Sequence, residues 1–238
     1  MITYRQLGNG RLGNQLWKLA STVGIALERR ERFAFPPWAY QPFFSLPEAW
    51  FLDLDGVECE DLGLDWLQEL GYFEKIEPLI RKIFRPSEAA AAQLATRHST
   101  FLALPHKTAL HVRRGDYLDL PELYLPLSAR YYEQAMALCE PPYVVFSDDI
   151  AWCRSNFPST CYFMEGNLDW EDLFLMSTCD AVITANSTFS WWGAWLSTGR
   201  RLYPRQWFGP EMKNQGPLAA KLDPRLMFPP GAIVLDVT

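Results

Sequence analysis

Two adjacent arginines, Arg113 and Arg114, close a short apolar segment and are followed by a glycine and an aspartate. Thr108–Val112 has the composition of a buried strand and Gly115 ends it, so the arginines are predicted at a strand's carboxyl end. Open α/β sheets bind ligands at that edge. A guanidinium can make two parallel charge-assisted hydrogen bonds to phosphate, so the segment indicates an anion site. The alternative is a surface ion pair with Asp116.

From residue 108 onward the sequence alternates between strand and helix patterns. The predicted strands are 108–112, 143–146, 162–164, 181–184 and 201–203. The predicted helices are 128–139, 149–157, 170–178 and 187–196. This alternation is typical of a parallel, Rossmann-like sheet, whose strands end at a common edge. Arg113 and Arg114, the segment 147–149 and the segment 186–188 are therefore expected along that edge.

The segment Asn186-Ser187-Thr188 follows a predicted strand and precedes an apolar helix. Ser187 and Thr188 occupy the expected cap and first turn, where hydroxyls and backbone N–H groups lie at the positive end of the helix dipole. The segment therefore predicts a second phosphate contact. The alternative is ordinary helix capping.

A glycine-rich turn, Gly8-Asn9-Gly10-Arg11-Leu12-Gly13, joins a predicted first strand at 2–7 to a helix beginning near Leu12. A glycine turn that opens a helix presents backbone N–H groups to an anion. The glycine spacing matches the dinucleotide pattern, but no acid stands near residue 33 to hold a ribose, so NAD is not indicated. The alternative is a tight turn that needs glycine for its conformation and packing.

Composition bounds the class of protein. A chain of 238 residues with 49% hydrophobic content can form two domains, predicted at 1–105 and 106–238. The net charge of -6 argues against nucleic-acid binding. Five cysteines without a C-x-x-C pair indicate reduced thiols, and no apolar window is long enough for a membrane span. These features favour a cytoplasmic location.

The acidic residues do not form a convincing metal site. Asp53-x-Asp55 lies among apolar residues. Asp148 and Asp149 stand at the beginning of a predicted helix, where they can act as its cap. A cation on a diphosphate is usually held by one or two carboxylates that leave room for substrate oxygens. The sequence therefore predicts no metal.

Three segments together resemble the motifs of the α-1,2-fucosyltransferases, glycosyltransferase family 11. They are Gly10-Arg11-Leu12-Gly13-Asn14-Gln15, His111-Val112-Arg113-Arg114-Gly115-Asp116-Tyr117 and Asn186-Ser187-Thr188-Phe189-Ser190-Trp191-Trp192-Gly193-Ala194-Trp195. The α-1,6- and protein O-fucosyltransferases are more distantly similar. The resemblance implies a GT-B-like α/β fold of two Rossmann-like domains with a cleft between them. At 238 residues the chain is short for this family, and the weak strand pattern between Pro36 and Pro86 indicates that the first, acceptor-side domain is reduced. The resemblance also implies GDP-β-L-fucose as the donor, inversion at the anomeric carbon, and no metal or other cofactor.

The resemblance further implies residue roles. Arg113 is expected to hold the β-phosphate, His111 to contact the nucleoside, and Asp172 to accept hydrogen bonds from guanine. The segment 187–189 is expected to line the diphosphate, and the loop 11–14 to approach the diphosphate and fucose. The expected donor-binding residues are Arg11, Gly13, Asn14, His111, Arg114, Asp148, Asp172, Asn186, Ser187, Thr188 and Phe189.

The chemistry of such a transfer needs a fixed cation and a carboxylate. Negative charge grows on the departing β-phosphate, and Arg113 can stabilise it. The attacking hydroxyl needs a proton acceptor, for which Asp116, Asp119 and Glu122 follow closely enough in sequence. Asp116 can instead pair with Arg114, and the sequence does not choose between Asp119 and Glu122.

We therefore expect a galactoside 2-α-L-fucosyltransferase that transfers L-fucose from GDP-β-L-fucose to the 2-hydroxyl of a β-galactoside on a glycan. A glycolipid acceptor would bring the protein to the inner membrane face as a peripheral protein. The alternatives are a fucosyltransferase of another linkage or acceptor, and a non-catalytic nucleotide- or glycan-binding module suggested by the ten tryptophans. Trp191, Trp192 and Trp195 are more typical of a helix core. The acceptor's identity and the oligomeric state stay open.

Overall fold

The computed structural model describes residues 1–63, 67–217 and 219–237. Contacts between Cα atoms divide the chain into two compact units, Met1–Ser99 and Thr100–Thr238. The boundary predicted from the sequence lies after residue 105, and the division in the structure lies slightly earlier, after Ser99.

The first unit contains little regular sheet. Strands β1 (Ile2–Thr3) and β2 (Glu60–Asp61) pair in parallel, and isolated bridges join Ile2 to Phe33 and Phe35 to Phe51. The predicted strand at 2–7 is thus two residues long, and the segment 33–35 takes part in pairing only through these isolated bridges. Pro36 and Pro37, which lack an N–H, directly follow this segment and prevent the ladder from continuing.

Helices supply most of the first unit's order. They are α1 (Leu12–Arg29), α2 (Glu77–Ile83) and α3 (Glu88–Arg97), and a short α4 (Ser99–Leu102) crosses the division between the units. The predicted helix from Leu12 is confirmed, but it is buried on more than its apolar face. Small residues allow this: Ser21 Oγ donates to the Leu67 carbonyl at 2.8 Å, and Gly24 lies directly against the backbone of Tyr72.

The second unit is an open, all-parallel sheet. Its strands are β3 (Thr108–Val112), β4 (Tyr143–Ser147), β5 (Tyr162–Phe163), β6 (Ala181–Ile183), β7 (Arg200–Pro204) and β8 (Ile233–Leu235). The connecting helices are α5 (Ala129–Met136), α6 (Ile150–Asn156), α7 (Asp169–Ser177) and α8 (Thr188–Leu196). The spatial order is β5-β4-β3-β6-β7-β8, and every neighbouring pair is parallel. The predicted parallel sheet is therefore confirmed, with β8 as an additional edge strand.

This strand order creates a switch point beside β3. The chain leaves β3 outward through β4 and β5, then returns to the other side of β3 as β6. Ligands of open α/β sheets bind outside the carboxyl ends of the strands that flank such a point. All five residues of β3 are buried, so the first exposed groups at this edge are those that follow the strand.

The tryptophans of α8 belong to the core. Trp191, Trp192 and Trp195 are each 0% exposed, and the indole N–H of Trp191 donates to the Met227 carbonyl at 2.8 Å. These residues cannot present a sugar-stacking surface, which removes the reason for inferring a binding module from them.

The close approach of α1 to Tyr72 gives a test of the first unit's packing. A Cβ built on Gly24 would lie 1.9 Å from the Tyr72 carbonyl oxygen, so Gly24→Ala is expected to cost about 1–3 kcal/mol of unfolding free energy. Gly71→Ala is the matched control because a Cβ there meets nothing within 4 Å. Urea unfolding of both variants measures the difference, and equal stabilities would contradict the packing described.

Candidate functional site

Sheet register brings Arg113 beside Asp148. Val112, the last residue of β3, pairs with Ser147, the last residue of β4. The residues that directly follow the two strands, Arg113 and Asp148, are therefore neighbours as well. Arg113 Nη1 lies 2.7 Å from Asp148 Oδ2, so two sequence-predicted site residues form an ion pair at the carboxyl edge.

Arg113 is held on three sides. Besides Asp148, it contacts Asp116, whose Oδ1 lies 2.5 Å from Nη2, and its guanidinium lies 5.3 Å from the centre of the Tyr117 ring. The arginine side chain is only 11% exposed, whereas Asp116 is 49% exposed. Asp116 therefore pairs with Arg113 rather than with Arg114, and it is the partner that solvent can most easily replace.

Asp148 also fixes the backbone beneath the arginines. Its Oδ1 accepts the Arg114 backbone N–H at 2.9 Å, while Oδ2 faces Arg113. A Cβ on Gly115 would lie 2.6 Å from Oδ2, so a glycine is needed for this close approach. Both carboxylate oxygens thus contact protein groups, an arrangement that positions Arg113.

Arg114 has a different environment from Arg113. Its Nε donates to Asp149 at 3.2 Å, and its guanidinium lies 4.1 Å from the centre of the Trp152 ring. Asp149 also caps α6 by accepting the Trp152 backbone N–H at 3.0 Å. Of the two arginines, Arg113 is therefore the one that faces an exchangeable partner.

His111 lies under the site as a neutral imidazole. It is 6% exposed, and its ring centre is 5.4 Å from that of Phe189. Burial, with a smaller contribution from the nearby Arg113 charge, lowers the pKa of His111 to about 3. Its Nδ1 has no hydrogen-bond partner among the described residues. The residue therefore carries no charge near neutral pH and has one ring nitrogen unpaired.

The segment after β6 is joined to the arginine site by Tyr117. The Tyr117 hydroxyl donates to the Asn186 carbonyl at 3.1 Å, so one side chain contacts both Arg113 and this segment. The Asn186 amide donates to the carbonyls of Leu125 and Trp207 at 2.8 and 2.7 Å. Asn186 therefore anchors two loops, a role that its sequence context does not reveal.

Ser187 and Thr188 stand where the sequence predicts, at the beginning of α8. Ser187 is the N-cap, and its hydroxyl accepts the Phe189 backbone N–H at 3.3 Å. Thr188 and Phe189 are half-buried. The positive end of the α8 dipole thus lies at the end of β6, one strand away from Arg113.

Asp119 and Glu122, the two other candidate bases, are exposed. Their loop is held by backbone pairing: the N–H groups of Gly209 and Glu211 donate to the carbonyls of Leu123 and Glu122, each at 2.9 Å. A Cβ on Gly209 would lie 2.3 Å from the Glu122 carbonyl oxygen, so this approach also requires glycine. The structure orders the loop but does not distinguish the two carboxylates.

Asp172 lies in the first turn of α7, where its Oδ1 accepts the side-chain amide of Asn167 at 2.7 Å. No described contact joins Asp172 to the arginines. Its expected part in reading guanine therefore stays a prediction.

In the first unit, two buried side chains tie down the glycine-rich turn. Gln15 Nε2 donates to the carbonyls of Gly8 and Gly10 at 2.9 and 2.7 Å. Lys18 Nζ donates to the carbonyl of Gln6, just before the turn, at 3.0 Å and to that of Asn9 at 2.5 Å, and burial lowers its pKa. Trp38 Nε1 donates to Gln15 Oε1 at 2.6 Å, which fixes the direction of the amide.

The sequence pattern alone does not assign these roles to Gln15, Lys18 and Trp38. A lysine within the apolar stretch of α1 is the one clue, because lysine is rarely buried without hydrogen-bond acceptors. Of the predicted turn residues, Arg11 is exposed at the N-cap of α1, Gly13 is buried, and Asn14 Oδ1 accepts from Gln68 at 3.2 Å.

Within the described residues, His, Cys, Asp and Glu side chains form no group of three or more that could hold a metal ion. All five cysteines are described and none forms a disulfide. None of the described helices has the length and apolarity needed to cross a bilayer.

Comparison with known sequences decides the family. The sequence model described as Glycosyl transferase family 11 matches residues 79–207, more than half of the chain and including the arginine site. The chain belongs to glycosyl transferase family 11. The resemblance inferred from the three sequence motifs is thereby confirmed.

Relatives of this family 11 chain include two from Escherichia coli. The O-antigen biosynthesis glycosyltransferase WbnK is 40% identical over 124 residues, which cover 45% of this chain and 41% of WbnK. An alpha-1,2-colitosyltransferase is 33% identical over 63% of this chain and 56% of its own. The chain thus matches only about half the length of these curated relatives. The Galactoside alpha-(1,2)-fucosyltransferase 1 of Homo sapiens is 28% identical over 84% of this chain and 67% of its own.

Solved structures share the fold. The fucosyltransferase NodZ from Bradyrhizobium aligns with a TM-score of 0.53 and 17% identity, covering 83% of this chain and 91% of NodZ. A structure of NodZ alpha-1,6-fucosyltransferase soaked with GDP-fucose aligns with a TM-score of 0.52 and 16% identity, covering 83% of this chain and 90% of NodZ. This likeness confirms the predicted GT-B-like α/β fold class.

The two partners of Arg113 should differ in their effect on stability. Asp148→Ala leaves a nearly buried guanidinium and a backbone N–H without their acceptor, and is expected to cost about 1–3 kcal/mol. Asp116→Ala, which removes an exposed partner, should cost less than about 1 kcal/mol. Urea unfolding at neutral pH compares them. An Asp116→Ala cost equal to that of Asp148→Ala would refute the positioning role of Asp148.

His111 should make stability depend on pH. Its folded pKa of about 3 lies below the unfolded value of about 6.5, so its contribution is complete above pH 6.5 and is lost as pH falls towards 3. Between pH 7 and 4.5, His111→Gln should lose about 2–3 kcal/mol less stability than the parent protein. Denaturant unfolding at both values measures this. His106→Gln, which removes a partly exposed histidine beside Asp180, is the control and should retain the parent's loss.

Proposed function

We propose that this protein is an inverting galactoside 2-α-L-fucosyltransferase, which moves L-fucose from GDP-β-L-fucose to the 2-hydroxyl of a β-galactoside. The observation that carries the proposal is Arg113, a preorganised guanidinium at the switch point of the sheet in a family 11 chain. We propose the α-1,2 linkage because the colitosyltransferase and the fucosyltransferase relatives carry it in their names. We propose GDP-fucose as the donor because the NodZ crystals were soaked with it.

Arg113 is suited to stabilise a leaving diphosphate. As the bond to fucose breaks, negative charge accumulates on the β-phosphate oxygen, and a fixed guanidinium interacts more strongly with that transition state than with the ground state. Asp148 holds the guanidinium in place, whereas the exposed Asp116 can yield its position to a phosphate oxygen. The donor would thus exchange a carboxylate for a phosphate at Arg113 without reorganising the ion pair between Arg113 and Asp148.

The remaining donor contacts follow from the same edge. The N-terminus of α8, at Ser187 and Thr188, also binds the diphosphate in this proposal, because this nine-residue helix presents the positive end of its dipole there. His111, neutral and with an unpaired Nδ1, is assigned to the nucleoside. Asp172 is assigned to guanine, whose N1 and N2 groups are donors that a carboxylate accepts.

The acceptor hydroxyl loses its proton to a carboxylate on the face opposite the leaving group. Asp119 and Glu122 are exposed on an ordered loop and make no ion pair with any described arginine, so either can serve. Asp116 is engaged with Arg113 until the donor binds. A galactoside carried on a glycolipid would place the protein at a membrane surface.

A second candidate donor is favoured by one relative. The alpha-1,2-colitosyltransferase is 33% identical to this chain. Colitose is L-fucose without its 3-hydroxyl, so a site that holds the diphosphate through Arg113 accepts either sugar unless a polar group reads that hydroxyl. The donor preference is therefore tested together with the activity.

The deciding experiment is an assay of GDP release and product formation with GDP-fucose or GDP-colitose and a panel of β-galactosides. We expect fucosylation at the 2-hydroxyl, with inversion. The same rate is expected in excess EDTA as with Mg²⁺ or Mn²⁺, because Arg113 supplies the charge that a cation supplies elsewhere. GDP binding without turnover would favour the binding module. Loss of activity in EDTA, restored by Mn²⁺, would contradict the arginine mechanism.

Substitution of Arg113 should remove transfer but not the fold. Arg113→Ala is expected to lower kcat about a hundred- to a thousand-fold, the usual effect of losing one preorganised charge contact. Arg113→Lys should recover little, since an ammonium lacks the planar fork. Arg205→Ala, which removes an exposed arginine paired with Asp236, is the control and should keep the parent rate. Near-normal turnover in Arg113→Ala would contradict the proposed role.

A further inference from the structure

The first unit contains a cavity of about 390 Å³ that the transfer chemistry does not use. It lies between the segment 45–50 and one face of α2, whose Leu79, Lys82 and Ile83 recur at helical spacing along the wall. Arg85, just after α2, completes it. Every lining residue belongs to the first unit, so the cavity is formed without the Arg113 site.

The walls of the cavity are fixed by backbone contacts. The Ser45 N–H donates to the Arg85 carbonyl at 2.9 Å, and the Ser45 hydroxyl donates to the Pro86 carbonyl at 3.0 Å. Phe44 and Pro86 form an antiparallel bridge beside them. The two segments that carry the lining groups are therefore held at a set distance.

Trp50 gives the cavity a rigid aromatic wall. Its backbone N–H donates to the Pro47 carbonyl at 3.1 Å, and its ring stands edge-on to Phe33 with centroids 4.8 Å apart. The indole N–H makes no hydrogen bond with another described residue. A half-buried tryptophan whose ring is already positioned offers a flat apolar surface and one donor at low entropic cost.

Two cations line the same cavity and lack ion-pair partners in the described parts of the chain. Lys82 and Arg85 are exposed, and the nearest acid along α2, Glu77, is bonded to Arg81 at 2.6 Å. Glu48, beside Trp50 in sequence, is exposed and joins neither of them. The cavity is thus locally positive in a chain whose net charge is -6.

We propose that this cavity binds an anionic sugar unit of a glycan, a uronic acid or a phosphorylated sugar. A pyranose ring packs its C–H face on Trp50, and its carboxylate or phosphate binds Lys82 and the guanidinium fork of Arg85. The volume falls in the range typical of small-molecule sites. This binding is a function of the first unit alone and does not depend on the proposed fucosyl transfer.

Isothermal titration calorimetry without GDP-fucose tests the proposal on the whole chain, with trigalacturonic acid and galactose 6-phosphate as anionic probes and neutral galactotriose as their control. We expect both anionic probes to bind with a Kd on the order of a millimolar, and the neutral probe at least about tenfold more weakly. Inorganic phosphate should also bind at least about tenfold more weakly than galactose 6-phosphate, because it lacks the ring. Equal binding of galactotriose and trigalacturonic acid, or of inorganic phosphate and galactose 6-phosphate, would overturn the proposal.

Variants assign the binding to the cavity. Lys82→Gln and Arg85→Gln alter exposed side chains and should each weaken the anionic probes about tenfold. Arg32→Gln removes an exposed arginine of the same unit outside the cavity and should have no effect. Trp50→Ala should weaken binding further, and Trp50→Phe should restore part of it. Equal losses in Arg32→Gln and Arg85→Gln would show a general charge effect and overturn the assignment.

Discussion

The ion pair between Arg113 and Asp148 is the contact on which the candidate site depends. It exists because β3 and β4 end in register, Val112 opposite Ser147, so that the residues following both strands meet at one edge. Asp148 then accepts the Arg114 backbone N–H as well, and Gly115 leaves room for its carboxylate. A guanidinium fixed in this way need not be ordered when a substrate arrives, and preorganisation of this kind makes a charge effective in catalysis.

The electrostatic balance of the edge suits a dianionic ligand that replaces one of the protein's own groups. Two arginines face three aspartates, Asp116, Asp148 and Asp149, and the side chain of Asp116 is the most exposed of the three. A diphosphate that displaces Asp116 meets a guanidinium whose other side stays neutralised. Without Asp148, the nearly buried guanidinium would lose its compensating charge, and a buried charge without a partner is costly.

A related device stabilises the glycine-rich turn of the first unit. Gln15 and Lys18 are both buried, and together they donate to three carbonyls of the turn and to that of Gln6 just before it, while Trp38 orients the glutamine amide. In both units polar side chains hydrogen-bond to the backbone of an irregular chain segment, so its geometry is set before any ligand binds. The desolvation of Lys18 is offset because its ammonium donates to carbonyl oxygens.

Sequence patterns were sufficient to predict the class of the protein and the identity of most groups at the carboxyl edge of the sheet. Alternating strand and helix patterns predicted the parallel sheet. Arg113, Asp148 and Ser187 each follow a strand, and parallel strands run in one direction, so these residues were expected at the carboxyl edge of the sheet. Three sequence motifs also indicated the family. Which of these groups contact one another is visible only in the folded chain. The β3–β4 register pairs Arg113 with Asp148, Asp116 bonds Arg113 rather than Arg114, and Tyr117 bridges to Asn186. Strand patterns repeat every two residues and carry no information about the offset between neighbouring strands, so such contacts arise only when the whole sheet is packed.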